Sequence, residues 1–522
     1  DLYNEVVSIA NHLLHLGVKK GDKVAILSAN MPNWGITQFA IANIGAIAVP
    51  VLPGFCSTEL QNILEHAEVK VIFVSRLLAK CLEGVKTPFL KHKILINNFS
   101  TIPEGCYQPE DLDKLVPDIS LNNTTPLPEV SIEEEDIASI IYTSGTTGFS
   151  KGVVLTHKNL VWDARQCHTI QPVDETYRFL SILPMAHTYE NTLGLLLPLM
   201  YGAQVYYLDR VPTPKLLVPA MQKIRPTVVL SVPLIIEKIY KSQVLPKFTG
   251  SKWMSKLYQF APARKLFNRL AGKKLMETFG GELKFFGIGG SKLDGTVEQF
   301  LREAKFPYAI GYGLTETAPM AAGSNPSQTF LQGVGPVMEG VQIKINDPDN
   351  SGQGEIWIKG PNVMKGYYKR PELTAETFTE DGWFKTGDLG SFDKKNRLAI
   401  RGRIKTMILG ASGENIYPEE IESIINNFRF VNESLVVENS GKLVAMVHFN
   451  MEELEKQYQK LKDQAGNYKE KINDYIEEQK QELRDYVNAR VNNFSKLQLV
   501  LVQHEPFEKT PTHKIKRFLY CK

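Results

Sequence analysis

Residues 138–153 read ASIIYTSGTTGFSKGV, an apolar run that ends at Tyr142 and opens into a loop of glycines and hydroxyls. Gly145, Gly148 and Gly152 alternate there with Thr143, Ser144, Thr146, Thr147, Ser150 and Lys151. Glycine lets consecutive backbone N–H groups turn towards an anion. Hydroxyls add short donors, and a lysine supplies a point charge for phosphate oxygens. A loop of this kind after a buried strand stands where open α/β sheets collect their ligands. The competing reading is a solvent-exposed Ser/Gly/Thr turn; the hydroxyl density, the lysine and the apolar strand in front favour a phosphate loop. No glycine is followed by Lys-Ser or Lys-Thr at the spacing GxxxxGK[ST], which disfavours a P-loop NTPase.

Upstream, helical and strand patterns alternate. An amphipathic helix runs to Leu16, Gly21-Asp22 makes a turn, and the run 24–27 is a buried strand. A helix from about Asn33 leads to a strand at 46–51, and one opening at Ser57-Thr58 leads to a strand at 69–74. Downstream the pattern resumes, with helices at 157–168 and 190–200 and strands at 179–183, 204–208, 227–232 and 283–288. This predicts an α/β fold of layered, mostly parallel sheets covered by helices. Residues 101–135, rich in Pro, Asn and acids, read as a connector, and DPDNSGQG (347–354) as a turn between strands. Beyond Gly354 short strands and turns predict a β-rich subdomain. After Arg403 a small α+β segment follows, with a charged helical stretch at 452–490 that reads as a solvated face.

A chain of 522 residues exceeds one ordinary core, so two or more domains are expected. Sixty basic against 57 acidic residues leave +3, which argues against a nucleic-acid surface. The longest apolar runs, such as 193–200, fall well short of the ~20 residues of a bilayer-spanning helix. Five scattered cysteines without a CxxC pair suggest neither a disulfide framework nor a zinc site, and point to a reducing cytoplasm. Asp1 already lies inside a helical pattern, which leaves room for a preceding segment.

The loop 142–153 resembles the signature of the adenylate-forming (AMP-binding) superfamily. Further stretches follow in that family's order: LPMAHTYE (183–190), GYGLTETAP (311–319), GEIWIKGPNVMKGYY (354–368), WFKTGDLG (383–390), GRIKTMILGASGENIYPEEIE (402–422) and PFEKTPTHKIKR (506–517). The likeness spans essentially the whole chain. It implies an N-terminal AMP-binding domain at 1–402 carrying the acid and ATP sites, and a small mobile α+β domain at 403–522. It also implies the reaction: a carboxylate attacks the α-phosphorus of ATP, magnesium pyrophosphate leaves, and a thiol, that of coenzyme A, then takes the acyl group.

The same resemblance implies roles. Thr143, Ser144, Gly145, Thr146, Thr147, Gly148 and Lys151 would hold the phosphates. Glu316 would be the Mg2+ carboxylate; taken alone it reads as an acid after a helix cap. Thr315 would donate to the α-phosphate, Tyr312 would stack on adenine with Gly313 beside it, and Gly289, Gly290 and Ser291 would wall the base. Asp388 and Arg403 would meet the ribose, and His187 would flank the acyl pocket without acting as a base. Lys514 would be the catalytic lysine. His513 stands where the family has glycine, which leaves Lys509 and Lys516 as neighbours to weigh, and Ser150 stands where it has proline. Lys405 would be the hinge, and Gly413 would let the backbone approach the pantetheine arm.

Within the superfamily, LPMAHTYENTLG and IKTMILGASGENIYPEEIE resemble fatty acyl-CoA synthetases of the long-chain group. A fatty acid substrate implies transient peripheral contact with a membrane. Three readings compete: transfer to an acyl carrier protein, an aryl or short-chain acid ligase, and a catalytically silent acyl- or nucleotide-binding relative.

Overall fold

The computed structural model describes the chain except residues 56, 120–124, 144–149, 211, 250–251, 410–414, 440, 462–467, 511–513 and 522. Its first layer is an eight-stranded sheet. From one edge it runs Gly366–Tyr367, Lys151–Thr156, Ile137–Thr143, Ile47–Pro50, Lys23–Leu27, Val69–Val74, His92–Leu95 and Ser100–Thr101. The inner pairs are parallel, and fully apolar stretches such as 24–27 and 71–74 are buried, as strands covered on both faces must be. The second sheet runs Met320–Gly323, Tyr308–Gly313, Phe285–Ile288, Val228–Ser231, Arg178–Ser181 and Gln204–Tyr207, parallel but for its first pair. The α/β, mostly parallel reading therefore holds.

One connection differs from the expected pattern. After 137–143 the chain returns antiparallel as Lys151–Thr156 before any helix begins, so the glycine-rich loop lies within a hairpin. The cause is local: Val153, Val154 and Leu155 are fully buried between sheet faces, and Thr156 is where the helix can start. The Asn159 N–H donates to the Thr156 hydroxyl and the Thr156 N–H to the Asn159 side chain, a reciprocal cap that opens the helix His157–Ile170. Asn159 also donates to the carbonyls of Pro361 and Val363, tying that helix to the segment before the edge strand.

A four-stranded antiparallel sheet, Gln342–Asn346, Gly354–Lys359, Phe384–Phe392 and Leu398–Arg403, forms the β-rich part. Beyond it the strands Val431–Asn439, Lys442–Phe449 and Leu499–Val502 make a separate sheet with its own core. The charged stretch 452–490 divides into the helices Met451–Leu461 and Tyr468–Asn488, and it is more than a solvated face: Leu454, Leu483 and Val487 are wholly buried in that core. Among the described residues no helix is long and apolar enough to cross a membrane.

Candidate active site

Parallel strands of the second sheet end together, and their loops supply the candidate site. Phe285–Ile288 gives way to Gly289, Gly290 and Ser291, and Tyr308–Gly313 to Thr315 and Glu316. Gly313 is needed there, because a Cβ would lie 1.7 Å from the Pro319 carbonyl oxygen. Gly289 sits under Tyr189, with its missing Cβ 3.3 Å from the ring.

Glu316 lies in the short turn Thr315–Thr317. The Tyr367 hydroxyl donates to its Oε1 at 2.8 Å, and the Met364 N–H donates to its carbonyl at 2.9 Å. The strand Gly366–Tyr367 is paired with Val153 and Val154, so Glu316 is brought to the base of the phosphate-loop hairpin. Lys151 faces Thr143 across that hairpin and holds its ammonium 5.1 Å from the Tyr367 ring centre. Burial pulls Lys151 below the usual lysine range, Lys405 adds to this, and Glu316 opposes it. Sequence reading assigned Tyr367 no role; only its place in the GYY end of a motif hinted at one.

Asp388 and Arg403 are cross-strand partners, and Arg403 Nε meets Asp388 Oδ1 at 2.7 Å. The Tyr312 hydroxyl donates to Asp388 Oδ2 at 2.9 Å, so both carboxylate oxygens are engaged. Lys514 reaches the same place from the far end of the chain. Burial is the first cause drawing its ammonium down, followed by Arg403, while Asp388 and Glu316 hold it up. Yet the side chain is solvent-accessible, as a lysine lining a deep cleft would be. His187 caps the turn Thr188–Glu190 by accepting the Tyr189 N–H on Nδ1, which leaves the neutral ring's proton on Nε2. Burial, then Lys514, pushes His187 down to about 4, so it is uncharged near neutrality.

Lys151, Tyr312, Glu316, Asp388, Arg403, Lys405, His187 and Lys514 are thus linked by short-range electrostatic contacts, with Thr143 paired to Lys151, Thr315 beside Glu316, and Gly289–Ser291 following the neighbouring strand. Ser144, Gly145, Thr146, Thr147, Gly148, Gly413 and His513 lie outside the described residues. Among the described residues no cluster of three His, Cys, Asp or Glu side chains could hold a metal ion. A lone carboxylate such as Glu316 suits a hard cation that arrives with oxygen ligands from phosphates and water.

Behind this site lies a mainly apolar cavity. Its floor is one face of the second sheet, on which residues two apart share a side. Strand register puts Gly311 in the row nearest the site, Leu230, Gly287 and Ala309 in the next, and Phe179, Val228 and Phe285 in the deepest. Four residues of strand span roughly 13 Å. Glycine or alanine occupies three of these positions, and the two glycines let Tyr189 and Met320 close on the sheet: a Cβ at Gly287 would lie 2.8 Å from the Tyr189 hydroxyl and one at Gly311 2.8 Å from the Met320 sulfur. Leu193, Leu197, Cys167 and Ile170 form the roof. Two buried carboxyls flank it, neither assigned from sequence. Burial pushes Glu190 up to about 8, against hydrogen bonds from Ser181 and Leu183 that lower it. Asp163, fully buried, is also driven well up, and its Oδ2 accepts the Met320 N–H at 3.4 Å.

Against known proteins, the family described as AMP-binding enzyme matches residues 1–368. The chain is 26% identical to Fatty acyl-CoA synthetase A of Dictyostelium discoideum, covering 98% of this chain and 82% of that one. It is 29% identical to Long-chain-fatty-acid--CoA ligase FadD15 of Mycobacterium bovis, covering 89% and 79% respectively. In structure it resembles ATP-bound MatB from Rhodopseudomonas palustris, with a TM-score of 0.75 at 22% identity over 99% of this chain and 92% of that one. That last likeness speaks to the fold.

Proposed function

Since the chain belongs to the AMP-binding enzyme family, we propose that it activates a long-chain fatty acid with ATP and passes the acyl group to coenzyme A. The observation that carries the acid's identity is the cavity: an apolar slot that starts beside Tyr189 and Gly311 and runs back along the sheet. Its lining is mainly apolar, with Gln171 and Ser324 as the polar exceptions, which suits a molecule with one carboxylate and a hydrocarbon tail.

In this reading the acid's carboxylate oxygen attacks the α-phosphorus, the bond to the bridging oxygen breaks, and pyrophosphate leaves. The thiolate of coenzyme A then attacks the acyl carbon, and AMP departs. Both steps need placement and charge compensation. Lys514 would offset charge between the carboxylate and the α-phosphate, with Thr315 as a second donor. Lys151 and the loop 143–148 would hold the leaving phosphates. Glu316 would hold Mg2+, whose charge, when bound, favours departure of pyrophosphate. Asp388 would take the ribose hydroxyls, exchanging contacts now made by Arg403 and Tyr312. Tyr312 and Gly289–Ser291 would bracket adenine. His187, neutral, would border the acyl carbon without removing protons.

The segment from 403 onward would turn about Lys405 between the two steps, removing Lys514 and bringing Gly413 to the pantetheine arm. Free thiols at Cys81, Cys106 and Cys167 suit a reducing compartment such as the cytoplasm. The test is ATP–pyrophosphate exchange over saturated acids of graded length, with and without coenzyme A, using wild type and Lys514→Ala. Exchange that rises with chain length, is lost in the variant, and leaves transfer from a supplied acyl-adenylate intact is expected. No exchange with any acid refutes the proposal, and equal loss of both half-reactions refutes the role of Lys514.

A further inference from the structure

Residues 245–278 hold eight lysines and arginines and a single acid, Glu277, in a chain whose net charge is only +3. Two helices, Lys252–Gln259 and Ala261–Thr278, carry most of that charge. The second turns Asn268, Gly272 and Leu275 inwards, with Gly272 closed against Ala304 and Arg264 paired with Glu303. Residues three and four apart share a helix face, so Leu266, Leu270 and Lys273 fall on the opposite one.

Leu266 is 59% and Leu270 60% exposed, and Trp253 and Phe260 just before them are 69% and 62% exposed. Fraying does not account for this, because Phe248 stacks on Tyr258 at 5.0 Å and on Phe267 at 5.6 Å and so ties both helices down. Lys247, Lys256, Lys265, Arg269, Lys273 and Lys274 are exposed around these apolar groups. Among the described residues, Arg264 is the cation of this stretch that has a carboxylate partner.

An acidic protein or a nucleic acid would satisfy the cations and leave Trp253, Leu266 and Leu270 without a home. A headgroup layer satisfies both, since Trp and Leu settle at the acyl boundary while Lys and Arg meet lipid phosphates. We propose that these two helices form the face by which the protein docks on an anionic lipid surface, which would also be the source of its apolar substrate.

This inference extends the acyl-CoA reading and is tested without turnover. Wild type is sedimented with vesicles of phosphatidylcholine alone or mixed with phosphatidylglycerol, at low and high salt. Preferential binding to the anionic vesicles, weakened by salt, is expected. Replacing Lys265, Arg269 and Lys273 together by Gln should weaken that binding on the order of a hundredfold, as about fivefold per lost cation implies. Trp253→Ala with Leu270→Ala should weaken it at both salt concentrations. Neither variant should alter ATP–pyrophosphate exchange with a freely soluble acid, which separates a failed surface from a failed substrate class. Equal binding to both vesicle types, no binding by wild type, or self-association that Leu270→Ala abolishes without any vesicle binding would each overturn the proposal.

Discussion

Replacing Ala309 by Leu tests the acyl cavity at its middle row. Ala309 is buried, lies in register with Gly287, and faces the empty space between the sheet and the helices above it. Leucine adds three carbons there and displaces about as much of a bound chain. At ~0.8 kcal/mol per buried methylene, the longest acids lose about 2.4 kcal/mol of binding, or roughly 60-fold in kcat/KM. Acids short enough to stop at the Gly311 row should keep wild-type values, and KM for ATP should not move. The assay is pyrophosphate release over a graded series of saturated acids, with a thermal melt to show that the fold persists. A loss of the same size at every chain length would trace the effect to strain in the strand and remove the cavity from acyl binding. Unchanged kinetics with the longest acid would do the same.

Glu190 gives a stability signature. Its folded pKa of about 8 exceeds the ordinary 4.5, so between those values the folded chain binds more protons and stability falls as pH rises. By pH 7 the cost reaches about 3 kcal/mol, and in Glu190→Gln the urea midpoint should fall less than in wild type over this range; parallel curves would contradict it. Burial and then Lys514 should make His187 titrate near 4 by NMR, and Lys514→Ala should raise that midpoint by removing a cation; an ordinary wild-type midpoint would refute the burial, and an unmoved midpoint in the variant the contact. The large and C-terminal parts meet at Asp294, whose Oδ2 accepts from Ser423 and Asn427 while its Oδ1 caps the helix Gly295–Ala304. Removing one charge-assisted donor by Asn427→Ala should slow adenylate formation about tenfold and spare thioester formation. Equal slowing of both steps would deny Asp294 a role in holding the adenylating arrangement.

Much of the layered fold was legible because buried parallel strands are apolar runs. The strand Val69–Val74 falls where its six residues predict, and the helices that start at Pro32 and Ser57 carry ordinary start signals. Sheet order was not legible, since any Val/Ile run can neighbour any other. Nor was the hairpin after Thr143, because its return strand begins inside a motif read as loop. The candidate polar site residues came from ordered motifs rather than from their own patterning. Tyr367 and Glu190 escaped because each acts through a neighbour fixed only by tertiary register. The cavity escaped for a related reason: Gly287, Ala309 and Gly311 look unremarkable until their two strands are aligned.

The pairing of Asp388 with Arg403 is the last rung of the four-stranded ladder. A ladder resists twisting about its own axis, so torsion in the chain must be taken up beyond this rung. The first residues free of it are the short turn Ile404–Thr406, which contains Lys405. A nucleotide whose ribose draws Asp388 away from Arg403 loosens the rung's side-chain clasp while leaving its backbone bonds in place. With Lys405 as the proposed pivot, occupancy of the nucleotide site and stiffness at that pivot would be set by the same carboxylate.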